Sequence, residues 1–450
     1  MRLLVYGTGV AAQAVIRTAV ARGHDVVVAD DAPRPDDLEP DALALLETLG
    51  LDVVVAPDAQ TIAALVGGVD VVVPSPGVPE QHTVIAAALD AGVALRTEID
   101  LGYEWEQQRP EGARPMLAIT GTDGKTTVTT LVTAMLVASG RRAIACGNTD
   151  VPLVSALDHE VDVFVVECAS FRLRWLSGFR PDVATWLNLA DDHLDWHGST
   201  EAYAAAKARI WEYQRPTDVA LAAIDDPTVM KWAKRATARL VTFGPGGDYD
   251  ERNGALTAPM GPFFDIDRLS RRMPHDRTNA LAAAATALES GAATVDGVRT
   301  ALADFRGIAH RISLVAEAGG VGYYDDSKAT TPHAATTAIR GFDHVVLIAG
   351  GRNKDLDLRR LAEEPSRMRA VVAIGEAADE VSVAFRGICP VEPAGSMDEA
   401  VAVARRHARA GDVVLLSPAC TSFDWYRGYA ERGDDFARAV RAQLGLVASA

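Results

Sequence analysis

A strand-length apolar run at residues 117–120 is followed by Gly121-Thr122-Asp123-Gly124-Lys125-Thr126-Thr127, and helical character begins at about Thr127. Glycines let a backbone wrap phosphate oxygens, a lysine brings mobile positive charge to terminal phosphates, and a hydroxyl at the place of Thr126 suits Mg2+. The same residues would also make a plain Gly-rich turn capping a helix, but their position between a strand and a helix favours phosphate chemistry. The general phosphate-loop pattern wants glycine at position 119, where this chain has Ile119, so the common P-loop ATPases are a poor match.

Further along, Glu167 follows a β-branched run at 161–166, and Asp191-Asp192-His193-Leu194-Asp195-Trp196-His197 follows another at 183–188. Carboxylates and an imidazole at strand ends can hold Mg2+ beside phosphates, because a hard cation prefers oxygen and tolerates nitrogen. Taken alone such a cluster is more often a solvated loop; behind a phosphate loop it reads as a metal site. Lys207 lies in an Ala-rich helical run and Asn279 opens another, where either would ordinarily be a surface lysine or a helix cap. Near the start, Gly7-Thr8-Gly9-Val10-Ala11-Ala12 with Asp30 after the next strand satisfies a dinucleotide fingerprint, yet nothing downstream suits hydride transfer.

The elements that must position these groups alternate throughout the chain. Strand candidates at 2–6, 25–29, 70–73, 117–120, 161–166, 183–188, 345–349, 371–374 and 413–416 are separated by Ala-rich helical segments, the pattern of parallel sheets covered by helices. Residues 104–115 read as a polar linker, and a second boundary falls near 305–309. Three α/β domains are expected, at 1–112, 113–306 and 307–450, with the candidate residues just after strands, where open parallel sheets place their crevices. The 450 residues are ample for several cores, and the formal charge of −17 argues against nucleic acid as a partner. No run of about 20 apolar residues suggests a membrane span. The four cysteines are far apart, as in a reduced cytoplasmic protein.

Several segments together resemble the Mur ligases: GTDGKTT (121–127), GNTDVPL (147–153), WLNLADDHLDWHGS (186–199), AYAAAKARI (202–210), GIAHRISLV (307–315), YDDSKATTP (324–332), IAGGRNKD (348–355) and LLSPACTSFDWYRGYAERGDDF (415–436). Their order and spacing carry the likeness, and the last three select the glutamate-adding branch. The resemblance implies an N-terminal Rossmann-like domain that receives UDP, a central P-loop ATPase-type parallel sheet, and a Rossmann-like C-terminal domain that binds glutamate. It implies ATP-dependent addition of D-glutamate to UDP-N-acetylmuramoyl-L-alanine through an acyl phosphate, in peptidoglycan biosynthesis. A related ligase taking another amino acid, such as L-glutamate, is the alternative. A monomer is expected.

Carried over by position, Gly121, Thr122, Asp123, Gly124, Lys125, Thr126 and Thr127 would bind ATP, joined by Asn279, Arg311, Asp326 and Lys328. Thr126, Glu167, His193 and Lys207 would serve two Mg2+ ions, Lys207 as a carbamate, and Lys125, Glu167, His193 and Lys207 would form the catalytic set. Val10, Asp30 and Asp31 would lie near uracil, Ser75 and Asn148 near the rest of the sugar nucleotide, and Thr330, Lys354, Ser422 and Tyr429 around glutamate, with His193 also counted among the substrate-binding residues. Asp123, Ala169, Arg172, Asp276, Thr331 and Tyr429 depart from the family's usual residues; Arg172 stands where an amide is common.

Overall fold

The computed structural model describes residues 1–354 and 356–446. Asp355, the last residue of the 348–355 segment, and the side chain of Asp195 lie outside what is described. The chain forms two compact units, Met1–Arg272 with Asp276–Phe305, and Met273–His275 with Arg306–Ala450.

The first unit begins with a five-stranded parallel sheet of β1 (Arg2–Tyr6), β2 (Asp25–Asp30), β3 (Val53–Val55), β4 (Val71–Pro74) and β5 (Ala94–Leu95), in the order β3-β2-β1-β4-β5. Period-2 alternation sets its faces. Leu3 and Val5 enter one apolar core, Leu4 and Tyr6 the other. Helix α1 (Val10–Ala21) returns the chain from β1 to β2. Strand order reverses at β1, so a crevice opens beyond the ends of β1 and β4.

The second sheet holds β6 (Met116–Thr120), β7 (Ala143–Gly147), β8 (Val163–Glu167), β9 (Val183–Trp186), β10 (Val219–Ala223) and β11 (Arg239–Phe243), in the order β11-β10-β9-β6-β8-β7. Order reverses at β6, flanked by β8 and β9, with Ile119 paired to Glu167 and Thr120 to Trp186. Its buried face toward Met116, Ala118 and Phe164 shares one continuous core with the first sheet. The opposite face packs on a helix at Lys125–Ala138, on the Ala-rich helix Pro274–Glu289, and on a small antiparallel sheet of β12 (Asp250–Arg252), β13 (Ala255–Ala258) and β14 (Gly261–Asp265).

Residues 104–115 differ from the expected linker. The helix Glu98–Gln107 runs into them, burying Trp105 and Glu106, and Arg114 pairs with Glu106 at 2.7 Å. The polar composition misleads because its charges satisfy one another.

The second unit is built on β15 (Ser313–Ala318), β16 (Val321–Asp325), β17 (Val345–Gly350), β18 (Met368–Ile374), β19 (Val391–Ala394) and β20 (Val413–Ala419), in the order β15-β16-β20-β17-β18-β19. Only β15 runs antiparallel. Apolar cores line both faces. The mixed α/β class with parallel sheets agrees with the expectation from sequence.

Candidate active site

The phosphate loop leaves the central strand β6, and its tightness has local causes. Gly124 adopts φ +81°, and a Cβ there would stand 2.6 Å from Asn279 Oδ1, so the loop backbone lies directly against the Asn279 side chain of the Ala-rich helix. Asn279 lies inside that helix, which starts at Pro274, rather than opening it. Helix formation after the loop begins at Lys125, two residues before the expected Thr127.

Asn188, just beyond β9, clamps the loop: its Oδ1 accepts from the amides of Thr122 and Asp123 at 3.0 and 2.9 Å, and its Nδ2 donates to Asp123 O. Lys125 Nζ folds back to donate to Gly121 O at 2.9 Å and Thr122 O at 2.8 Å. Thr126 and Thr127 occupy the first turn of the helix, half-buried.

Lys207, on the helix Thr200–Ala208, is 1% exposed and donates to the same Gly121 carbonyl at 2.7 Å. Its Nζ sits 4.5 Å from the Tyr203 ring centroid. Burial, then the charge of Lys125, holds its ammonium well below the ordinary lysine range. A surface lysine it is not. Glu167, at the end of β8, is 2% exposed; Oε1 accepts from Asn148 Nδ2 at 3.0 Å, while Oε2 is buried without a hydrogen-bond partner. A buried carboxylate oxygen left over in this position fits a hard cation.

His193 has φ +53° and caps the short helix Leu194–His197. Its Nε2 lies 3.2 Å from Asp192 Oδ2, and its ring packs edge-on against Phe171. His197 is held by Ser170 Oγ at 2.9 Å, and burial pulls its pKa down to about 4, so this imidazole is neutral. Among the described residues no group of three or more His, Cys, Asp and Glu side chains could hold a metal alone. An ion here needs hydroxyl or phosphate ligands as well.

Beyond β1 and β4 lies a cavity of about 410 Å³ that brings together Val10, Asp30, Asp31 and Ser75. Thr8 Oγ1 donates to Asp30 Oδ2 at 2.8 Å and Tyr6 OH to Asp31 Oδ1 at 2.6 Å, so these two carboxylates mark one end as acidic. Asn148 does not line this cavity; it stands at the end of β7 beside Glu167.

In the second unit the candidates again gather past strand ends. Asp326 follows β16, with its carboxyl accepting from Ser417 Oγ at 2.7 Å and from the Ile312 amide at 3.2 Å. Burial pushes that carboxyl up to about 7. Arg311 contributes favourable charge to it. Lys328 Nζ sits 3.7 Å from the ring centroid of Tyr429, joining a nucleotide candidate to a glutamate candidate. Thr330 and Lys354 are half-buried, and Ser422 is buried.

Sequence reasoning missed Asn188 and Arg432. Arg432 is 1% exposed and donates to Ser327 Oγ, Ser327 O, Cys420 O and Thr421 O, so it ties the loop after β16 to the loop after β20. Its place inside the 415–436 segment was the available signal. Asn188 lay in the 186–199 segment without being singled out.

A Gly-rich loop at the switch point of a parallel sheet, with a carboxylate at the neighbouring strand end, defines a phosphate-binding α/β protein. Residues 119–287 match the Mur ligase middle domain, and residues 310–420 match the Mur ligase, glutamate ligase domain. The chain is 41% identical to a UDP-N-acetylmuramoylalanine--D-glutamate ligase of Frankia casuarinae, over 98% of this chain and 94% of the relative. It is 38% identical to one from Syntrophus aciditrophicus, covering 98% of each. The fold is similar to MurF ligase from Thermotoga maritima in complex with ADP, with TM-score 0.61, 18% identity, and 98% and 95% of the two chains covered. It is also similar to UDP-N-acetylmuramate-alanine ligase MurC from Thermotoga maritima, with TM-score 0.59, 19% identity, and 98% and 100% covered. This chain belongs to the Mur ligase family.

Proposed function

We propose that this chain is the ligase that joins D-glutamate to UDP-N-acetylmuramoyl-L-alanine at the expense of ATP, in peptidoglycan synthesis. The near full-length identity to relatives bearing that activity in their names carries the reading, and it favours D- over L-glutamate. The three larger sheets suit domains at 1–112, 113–306 and 307–450, for sugar nucleotide, ATP and glutamate in turn.

In this reading residues 121–127 hold the ATP phosphates, and Asn279, Arg311, Asp326 and Lys328 hold the rest of the nucleotide. Lys125 gives up its two loop carbonyls and neutralises the phosphoryl group as the alanyl carboxylate attacks it. Mg2+ would be held by Thr126, Glu167, His193 and Lys207, and it supplies charge neutralisation at the phosphates. Lys207, carbamylated, would give oxygen ligands in place of a cation, a change suited to a fully buried amine. Thr330, Lys354, Ser422 and Tyr429 seat glutamate, whose amine attacks the acyl phosphate; phosphate then leaves from a tetrahedral intermediate. Val10, Asp30, Asp31, Ser75 and Asn148 seat the sugar nucleotide.

Among the described residues no helix is long and apolar enough to cross a membrane. A cytoplasmic, monomeric enzyme is part of the same proposal.

The test is phosphate release from ATP with each co-substrate omitted in turn. Release should require UDP-N-acetylmuramoyl-L-alanine and D-glutamate together. Equal or faster release with L-glutamate would overturn the choice of amino acid, and release with neither would overturn the ligase reading.

A further inference from the structure

His310 has no part in the proposed mechanism, yet it stands beside three residues that do. It precedes Arg311 in the chain, and both His310 and Ile312 adopt left-handed backbone, with φ +61° and +48°. Side chains with a Cβ avoid that region, a β-branched one most of all, so surrounding contacts must impose it. Arg311 sits between the two.

The contacts that impose it converge on His310. Its Nδ1 lies 2.7 Å from Asp325 Oδ2, and because a carboxylate accepts there, this nitrogen carries the proton. Asp325, buried at the end of β16, accepts the Ser327 amide on its other oxygen at 2.9 Å. The imidazole Nε2 faces Asp434 at 4.0 Å, but that carboxylate is 80% exposed, so Asp325 is the stronger partner. The backbone repeats the connection: His310 O accepts from the Lys328 amide at 3.0 Å, and the Ile312 amide donates to Asp326 Oδ1 at 3.2 Å. Residues 310–312 are thus bonded at both ends to residues 325–328. The helix Tyr429–Gln443 closes over them, since a Cβ at Gly433 would stand 2.2 Å from His310 Nδ1 and 2.5 Å from Asp325 Oδ2. Its backbone lies directly on the hydrogen-bonded pair.

We infer that His310 is a positioning residue for the nucleotide: through Asp325 it fixes the 310–312 stretch against 325–328, and so sets the spacing of Arg311, Asp326 and Lys328. This rests on the reading of those three as nucleotide-binding and adds to it the group that holds them in register. The rival role is fold stability alone, with His310 only filling space beneath Gly433.

Steady-state kinetics of the full chain separate these roles, using His310→Asn and His310→Gln. Asparagine places an amide N–H where Nδ1 stands and tolerates left-handed backbone, whereas glutamine places its amide nearer to Nε2, away from Asp325. His310→Gln should raise the ATP KM about 10- to 100-fold, the worth of a hydrogen bond to a charged group, with kcat at saturating ATP within about twofold of the parent. His310→Asn should keep the ATP KM within about threefold of the parent, because the donor is retained. A loss of folded protein would instead lower kcat and leave the ATP KM where it was. The parent ATP KM in His310→Gln, or a KM raised equally by both substitutions, would overturn the inference. Arg311→Ala tests the reading beneath it. A raised ATP KM there, with the parent value in His310→Gln, removes the inference alone; an unchanged ATP KM in Arg311→Ala overturns the nucleotide reading and the inference with it.

Discussion

Lys125 and Lys207 donate to one carbonyl oxygen, that of Gly121, at 2.9 and 2.7 Å. Two amines on a single acceptor tie the phosphate loop to the helix that follows it and to the helix Thr200–Ala208. Burial, and after it the charge of Lys125, holds the Lys207 ammonium low.

Removing the mobile member of that pair should remove the chemistry. Lys125→Ala is expected to lower kcat by at least about 10²-fold, the scale of one lost electrostatic donor at a reacting group. Steady-state phosphate release measures it, and near-normal turnover would refute the nucleotide assignment.

Lys207→Ala should lose most activity, with partial recovery in acetate, whose small carboxylate can occupy the space of a carbamate. Because the ammonium is held low, the neutral amine that reacts with CO2 is reached at lower pH than for an ordinary lysine. Activity of the parent protein depleted of CO2 should therefore return on adding bicarbonate. Wild-type turnover in Lys207→Ala at limiting Mg2+ would show that the side chain is only structural.

Lys354→Met tests the glutamate pocket, where a cation and the hydroxyls of Thr330 and Ser422 suit a dicarboxylate. The glutamate KM should rise by an order of magnitude or more, about the worth of a charged hydrogen bond, with ATP binding intact. Unaltered glutamate kinetics would remove Lys354 from the site.

Asp326 gives a prediction with a definite sign. Its folded carboxyl titrates at about 7, above an ordinary aspartate, so between roughly pH 4 and 7 the native state keeps a proton that the unfolded state releases. Stability from this group is full at the acid side and falls as pH rises to 7, then levels. Asp326→Asn should flatten that part of the profile. Thermal midpoints at pH 5 and 7.5 measure it, and parallel profiles for parent and variant would contradict the buried-carboxyl account.

The fold class was legible because β-branched runs and Ala-rich helices alternate with little interruption, and chemistry in such folds sits after strands. Strand ends shifted by a residue or two, as at Met116 and Glu167, where pairing rather than composition sets the limit. The partners of the site residues were harder to read. Asn188 grips a loop 65 residues earlier, and Arg432 spans 105 residues to Ser327. Such hydrogen bonds have no local periodicity. The buried ion pair of Glu98 and Arg172 was invisible for the same reason, although Arg172 had stood out as a departure.

The single apolar core shared by the first two sheets bears on how this chain can be dissected. A fragment ending at residue 112 would keep only part of that core and lose Met116, Ala118, Phe164 and the other members that follow it. A fragment from residue 306 onward keeps apolar residues on each face of its sheet and loses only the packing of Met273, so it is the better piece to express for isotope labelling and for screening of fragment-sized compounds.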